Sequence, residues 1–126
     1  PVPYGRPFLD VLDSFDVMVV PTLSDEQPRV VYDAFSRGVP VIASDTPGNR
    51  DCVADGVTGW LFPSRHPEAL AELLGRIAFE ERSDILLRGL NAREHAGTRT
   101  HAAMHATRQA IVELALRDRG YARAQE

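Results

Sequence analysis

The chain has 126 residues, 44% of them hydrophobic and 25% charged, and a net charge of −4 at pH 7. Its length indicates one domain, its composition is ordinary for a globular protein, and its excess of acidic residues excludes an extended basic surface for nucleic acid. No apolar run approaches the roughly 20 residues of a membrane-spanning helix, no secretory signal pattern is present, and a single cysteine excludes an internal disulfide and fits a reducing compartment.

The first half of the chain alternates short apolar runs with helical segments. Residues 8–12 predict a short helix, residues 17–20 predict a strand that Pro21 ends, and residues 41–43 predict a second strand. Short runs rich in β-branched residues are typical of strands that are buried on both faces of a parallel sheet. With the helical segment between them, these runs predict a βαβ unit whose ligands bind at the carboxyl ends of the strands.

The helical segment between the two strands has clear boundary signals. Pro28 suits the first helical position, because its missing N–H would be unpaired there, and Gly38 suits the position just past the end. The cap position then falls on Gln27, which is a poor cap residue. A helix start whose N–H groups lack a side-chain acceptor is suited to binding a phosphate. These N–H groups belong to Arg29, Val30 and Val31.

A structural alternative for the same segment stays open. Asp25 or Glu26 could fold back to cap the helix and to pair with Arg29. In addition, Arg29, Asp33 and Arg37 are spaced four residues apart, which is the spacing of a solvent-exposed charge ladder. Arg before Asp is the weaker order for such a pair, so a ladder explains little of this pattern.

Residues 44–48 form a dense turn signal at the carboxyl end of the second strand. Gly48 in this turn either supplies only backbone freedom or lines a ligand cleft. A short helix is predicted over residues 49–54, and a third strand over residues 60–62. Trp60 is predicted to be a core residue, because aromatic side chains mainly contribute packing area.

From Pro67 onward the chain is predicted to be helical. A second helix of this part is predicted over residues 80–94 and a third over residues 99–117. The last residues, 118–126, are polar and are predicted to be frayed.

Two histidines and the single cysteine have side chains that can bind a metal or react as a nucleophile. His101 and His105 share one predicted helix face, but no third ligand has a matching spacing, so no metal site is predicted. Cys52 lies in a predicted helix without a cysteine partner, and it is predicted to be a small buried apolar residue.

The stretch around the first long helix resembles the donor-binding region of retaining glycosyltransferases of family 4, also called group 1, which have the GT-B architecture. Their signature, an acid, seven residues and a second acid that opens Glu-Ala-Met-Ala-x-Gly-x-Pro-Val-Ile-Ala, is matched here by Asp25, seven residues, Asp33 and then Ala-Phe-Ser-Arg-Gly-Val-Pro-Val-Ile-Ala. The similarity continues through residues 48–51, 55–63 and 67–71. Its specific part covers about residues 16–75.

The chain departs from the family pattern at both acids and in both loops. Each acid is Asp where the family usually has Glu, which keeps the charge but shortens the side chain by one methylene. Glu26 stands where the family has Gly, and Pro47 followed by Gly48 stands where the family has a pair of glycines.

Pattern and resemblance together imply an α/β fold: a three-layer, Rossmann-like partial parallel sheet with flanking helices and a helical C-terminal tail. The chain would be the C-terminal part of a GT-B nucleotide-sugar-binding domain. It is expected to form a single domain over residues 1–126, with a βαβ core over about 1–63, a helical tail over 64–119 and frayed residues over 120–126. An N-terminal Rossmann-like acceptor domain is expected to precede it.

The function that the resemblance implies is transfer of a sugar from a nucleotide diphosphate sugar, with retention of anomeric configuration. Asp25 would be the catalytic residue beside the transferred sugar, and Asp33 would bind the ribose hydroxyls of the nucleotide. No metal or other cofactor is implied, because the helix start and basic groups neutralise the diphosphate. The other expected donor-binding residues are Glu26, Gln27, Arg29, Val30, Val31 and Gly48.

Two alternatives stay open. One is a non-catalytic nucleotide-binding or interaction module, which the pair of Asp-for-Glu changes favours, and the other is a nucleotide-sugar epimerase of the same architecture. The chain alone is expected to be inactive, because it lacks the acceptor domain and positioning of two substrates supplies much of the rate of a transfer reaction. The expected location is the cytoplasm, including the inner face of the membrane.

Overall fold

The structure is a computed structural model, and it describes residues 1–23 and 28–118. The described strands form one parallel sheet in the order β1-β2-β3. This arrangement, with helices between successive strands, confirms the predicted α/β fold class. The elements are α1 (Arg6–Leu12), β1 (Met18–Val20), α2 (Arg29–Ser36), β2 (Val41–Ser44), α3 (Pro47–Cys52), β3 (Gly59–Phe62), α4 (Pro67–Ala78), α5 (Arg82–Gly97) and α6 (His101–Asp118).

The sheet has an apolar cluster on each face, because successive side chains of a strand point to opposite sides. Val41 of β2 packs in the cluster that Phe35 of α2 and Ala92 of α5 also occupy. Ile42, the next residue, packs in the other cluster with Leu73 of α4. All of β2 is buried, as expected of a central strand that is covered on both faces.

The start of α2 differs by one residue from its prediction. Pro28 is the cap residue, with φ −78° and ψ 107°, and is not the first helical residue, so the prediction that Gln27 caps the helix is wrong. The reason is that the extended ψ of Pro28 places it outside the helix. Its carbonyl then accepts a hydrogen bond from the Val31 N–H at 3.1 Å.

The end of α2 is formed as predicted. Gly38 has φ +70°, a left-handed conformation that favours glycine. The Gly38 N–H donates to the Phe35 carbonyl at 2.9 Å, and the Val39 N–H donates to the Ala34 carbonyl at 3.0 Å. This pair of bonds is a Schellman motif, which satisfies carbonyls at the helix end and turns the chain into β2.

The helix predicted over residues 49–54 begins two residues earlier, as α3 (Pro47–Cys52). Thr46 is its cap, and the Thr46 hydroxyl accepts a hydrogen bond from the Asn49 N–H at 3.3 Å. Pro47 takes the first helical position, where its missing N–H has no cost. The residues that predicted a turn therefore form a helix start.

Arg88 fixes α5 to the turn that precedes β3. Its Nε donates to the Gly56 carbonyl at 3.2 Å, and its Nη1 lies 2.6 Å from a carboxylate oxygen of Glu80. Its guanidinium also lies 4.7 Å from the centroid of the Trp60 ring, which is buried as predicted. Asn91, one turn later in α5, donates from its side-chain amide to the Val57 carbonyl at 3.1 Å.

The chain divides into two compact units, Pro1–Ala96 and Gly97–Glu126. The second unit contains α6, and near its start the Ala103 N–H donates to the Thr100 hydroxyl at 3.2 Å. Of the residues predicted to be frayed, Asp118 is the last residue of α6, and the others lie outside the described part of the chain. Among the helices that are described, none is both long and apolar enough to cross a membrane.

Candidate functional site

The three described strands end on the same side of the sheet. Because the strands are parallel and in register, Val20, Ser44 and Phe62 lie at one edge, which is named the carboxyl edge below. The start of α3 follows Ser44 closely, and Pro28 caps the helix that follows β1. Ligands of open parallel sheets bind at this kind of edge.

Buried polar side chains are concentrated at the carboxyl edge. Ser44 and Asn49 are 1% and 0% exposed. The Ser44 hydroxyl donates to the Thr22 carbonyl at 2.5 Å, and the Asn49 side-chain amide lies 3.2 Å from the Thr22 hydroxyl. These bonds join the segment after β1, the end of β2 and the start of α3.

The start of α2 was predicted to be a phosphate-binding helix end, and the structure describes part of it. No side chain forms a cap hydrogen bond to it within the described residues. The Val31 N–H donates to the Pro28 carbonyl, so it is already used in this structure. The N–H groups of Arg29 and Val30 are therefore the better candidates for an anion, and the Arg29 side chain is exposed.

Asp33 lies one helical turn after Arg29 and is half-buried. Its Oδ2 accepts a hydrogen bond from the Tyr4 hydroxyl at 3.0 Å. The Tyr4 ring stacks on Phe8, with centroids 5.9 Å apart, and the Arg29 guanidinium lies 5.6 Å from the Tyr4 ring centroid. The sequence did not indicate this contact, because 29 residues separate Tyr4 and Asp33.

The charge ladder that the sequence left open does not form among the described residues. Arg37 lies 3.7 Å from Asp10 and 3.7 Å from Asp13, both near α1, and does not pair with Asp33. Both pairs are long and solvent-exposed, so they contribute little to stability. Within the described part of the chain Asp33 forms no ion pair, and its carboxylate accepts a hydrogen bond from the Tyr4 hydroxyl.

The hydrogen bond from Tyr4 to Asp33 raises the pKa of the phenol above its ordinary value of 10.0, with burial and the Asp33 charge acting in the same direction and the Arg29 charge opposing them. Because the pKa is raised by folding, this contribution to stability is complete below a pH of about 10 and is lost as the pH rises through the folded-state pKa.

Replacing Asp33 with asparagine is expected to lower the pKa of Tyr4 toward 10.0, because the charge and the strong acceptor are both removed. The measurement is a pH titration of the Tyr4 ring-carbon NMR signals. Asp45→Asn is the matched control, since Asp45 is exposed and pairs with Arg50 at 2.9 Å. An unchanged Tyr4 titration in Asp33→Asn would show that the hydrogen bond is absent in solution.

The remaining predicted site residues are placed as follows. Asp25, Glu26 and Gln27 lie outside the described residues. Gly48 is buried in the first turn of α3, beside Asn49. Within the described part of the chain, no group of three or more His, Cys, Asp or Glu residues is arranged to hold a metal ion.

Ser44 was predicted to lie at the carboxyl end of β2, but its bonds to Thr22 and Asn49 were not predicted. A signal was present: Ser44 is a polar residue at the end of an apolar strand, and Thr46 with Pro47 has the form of a helix start. Tyr4 carried no comparable signal.

The amino-acid sequence was also compared with known families and proteins. The family model described as "Glycosyl transferases group 1" matches residues 5–78, which is more than half of the chain. The chain belongs to the group 1 glycosyltransferases. This confirms the resemblance that was seen around Asp25 and Asp33.

Individual relatives agree with this membership. D-inositol 3-phosphate glycosyltransferase of Streptomyces griseus subsp. griseus is 38% identical over 77 residues, which are 60% of this group 1 glycosyltransferase chain and 16% of that protein. Sucrose-phosphate synthase of Thermosynechococcus elongatus has a TM-score of 0.73 at 30% identity, covering 86% of this chain and 28% of that one.

A third protein extends the likeness in fold. Anabaena Alr3699/HepE, solved in complex with UDP-glucose, has a TM-score of 0.71 at 20% identity, covering 89% of this chain and 30% of that one. The group 1 glycosyltransferase chain described above thus spans less than a third of each of these three proteins.

Proposed function

We propose that this chain is the donor-binding portion of a glycosyltransferase that transfers a sugar from a nucleotide diphosphate sugar with retention of anomeric configuration. The observation that carries the proposal is the start of α2: no described side chain caps it, Arg29 is exposed beside it, and Asp33 follows one turn later. Family membership and the position at the carboxyl edge support the same reading.

In this proposal the start of α2 binds the diphosphate of the donor. The N–H groups of Arg29 and Val30, which no described side chain caps, and the positive end of the helix dipole favour an anion there, and the Arg29 side chain adds a cation. Negative charge accumulates on the diphosphate as it leaves the sugar, so these groups stabilise the transition state more than the bound donor. The helix start and Arg29 do this without a metal or another cofactor.

Asp33 would bind the ribose hydroxyls of the nucleotide. A carboxylate offers about four acceptor positions, and the Tyr4 hydroxyl uses one of them at Oδ2. The other oxygen remains for a ribose hydroxyl. Asp25 would lie beside the sugar, with Glu26, Gln27 and Gly48 also contacting the donor. That a neighbour in fold, Anabaena Alr3699/HepE, was solved with UDP-glucose supports a nucleotide sugar as the ligand class.

The remaining parts of the reaction are proposed to lie outside this chain. A preceding Rossmann-like domain would bind the acceptor, and the 126-residue chain alone would not transfer sugar, since positioning of two substrates supplies much of the rate.

Asp33→Ala in the full-length parent is expected to weaken donor binding by about tenfold to a hundredfold, because a hydrogen bond to a charged group contributes about 1.5–3 kcal/mol. The measurement is calorimetric titration with UDP-, GDP-, ADP- and dTDP-sugars. Glu94→Ala, which removes an exposed carboxylate from α5, is the control and should bind as the unmodified protein does.

Donor affinity within threefold of the unmodified protein would remove Asp33 from the site. A parent that binds a nucleotide sugar but releases no nucleoside diphosphate with any acceptor would instead be a binding module.

A further inference from the structure

Asn49 connects three segments of the carboxyl edge through one side-chain nitrogen. Its Nδ2 lies 2.7 Å from the Ser44 carbonyl, 3.2 Å from the Ser44 hydroxyl and 3.2 Å from the Thr22 hydroxyl. The residue is 0% exposed. No other side chain of the described residues bonds to both of these neighbours.

This position requires a hydrogen-bond donor. The Ser44 carbonyl can only accept, so the nitrogen of the amide, and not its oxygen, must face it. The Ser44 hydroxyl has a single hydrogen, which it gives to the Thr22 carbonyl, so it presents a lone pair to Asn49. An acceptor in place of Nδ2 would therefore face lone pairs.

The side-chain oxygen of Asn49 forms no hydrogen bond to the described residues that would explain why the residue is buried. Asn49 Oδ1 is buried and has no hydrogen-bond partner among the described residues. A buried acceptor without a partner costs free energy. The hydrogen-bonding role of Asn49 in this structure therefore lies in its side-chain nitrogen, which contacts Thr22 and Ser44.

Thr22 is held on two sides. Its carbonyl accepts from the Ser44 hydroxyl, and its own hydroxyl lies within hydrogen-bonding distance of Asn49. Thr22 stands three residues before Asp25 in the sequence. Thr22, at the start of the segment that precedes Asp25, is thus hydrogen-bonded to Ser44 of β2 and to Asn49 of α3.

We propose that Asn49 is a positioning residue for sugar transfer: by holding Thr22 it fixes the segment that leaves β1 at the carboxyl edge, three residues before the proposed catalytic Asp25 in the sequence. This inference rests on the proposed function. Asn49 acts through Thr22 and does not touch the donor, so its loss should affect turnover more than donor binding. A small misplacement of a catalytic group lowers the rate by as much as about a hundredfold.

The test compares Asn49→Asp and Thr22→Val in the full-length parent. Asn49→Asp keeps the shape but replaces the donor with an acceptor, and Thr22→Val keeps the shape but removes the hydroxyl. The substrate is whichever UDP-, GDP-, ADP- or dTDP-sugar the unmodified parent uses best. The readouts are kcat, donor KM and the thermal midpoint.

Both variants are expected to lower kcat by about tenfold to a hundredfold while donor KM stays within about threefold. Because they break the same link, the double variant should lose little more than Asn49→Asp alone. Asn91→Asp is the matched control: its Nδ2 also donates to a carbonyl, but in the turn before β3, so the same change there should leave kcat unchanged.

Three results would overturn the inference. They are an unchanged kcat in Thr22→Val, a kcat loss in Asn91→Asp as large as in Asn49→Asp, and fully additive losses in the double variant. Thr22 is only half-buried, so its variant keeps the test valid even if Asn49→Asp does not fold. An unmodified parent that transfers no sugar from any donor of the panel would refute the proposed function itself, and the inference with it.

Discussion

Gly89→Ala is expected to lower the thermal midpoint of the 126-residue chain by roughly 10–20 °C, because overpacking of about 3 kcal/mol in a domain of this size has that effect. A Cβ at Gly89 would overlap the main-chain carbonyl oxygen of Gly38. That oxygen belongs to the Schellman turn after α2 and cannot rotate away as a side chain could. The helix α5 would have to move off the sheet.

Gly75→Ala is the matched control and should have the opposite sign. Gly75 lies inside α4, and a Cβ there would meet nothing within 4 Å. Alanine favours a helix interior over glycine by up to about 1 kcal/mol, so the midpoint should rise by up to roughly 3–7 °C. Both midpoints are measured by circular dichroism. Equal midpoints in the two variants would show that α5 does not approach Gly38 in solution.

Asp25→Asn is expected to lower kcat of the full-length parent by about a hundredfold to a thousandfold, with a much smaller change in donor KM. The proposed role of Asp25 is to hold the sugar or to balance the positive charge that develops on it during transfer. That charge exists mainly in the transition state, so its loss affects turnover more than binding.

Two measurements separate this role from a structural one. If Asp25 only caps α2, its replacement costs about 0.5–2 kcal/mol of stability, so a lowered thermal midpoint with unchanged kcat would identify a cap. Asp45→Asn is the control, because it removes the same charge from an exposed position after β2, at the same edge. It should leave kcat and donor KM as they are in the unmodified parent.

The strands and the end of α2 could be predicted because their signals are local. Short β-branched runs mark strands that are buried on both faces, and Gly38 marks the turn that closes the helix. The start of α3 was predicted two residues late, since Thr46 and Pro47 also fit a turn. Boundaries depend on which of two local hydrogen-bonding patterns forms, and tertiary contacts decide that.

The contacts that define the site could not be predicted, because they join residues that are far apart in the chain. Tyr4 reaches Asp33 across 29 residues, and Asn49 reaches Thr22 across 27. Neither pair has a spacing rule, since both depend on how the segments lie at the end of the sheet. The approach of Gly89 to Gly38 could not be predicted either, because it depends on where α5 crosses the turn after α2.

The position of Trp60 under the Arg88 guanidinium has a practical consequence. Trp60 is the only tryptophan of the chain and is 6% exposed. The emission of an indole depends on the charges and the water around it, and movement of α5 would take the Arg88 guanidinium away from this ring. The intrinsic fluorescence of the unlabelled chain therefore reports whether α5 is docked, independently of its helical content.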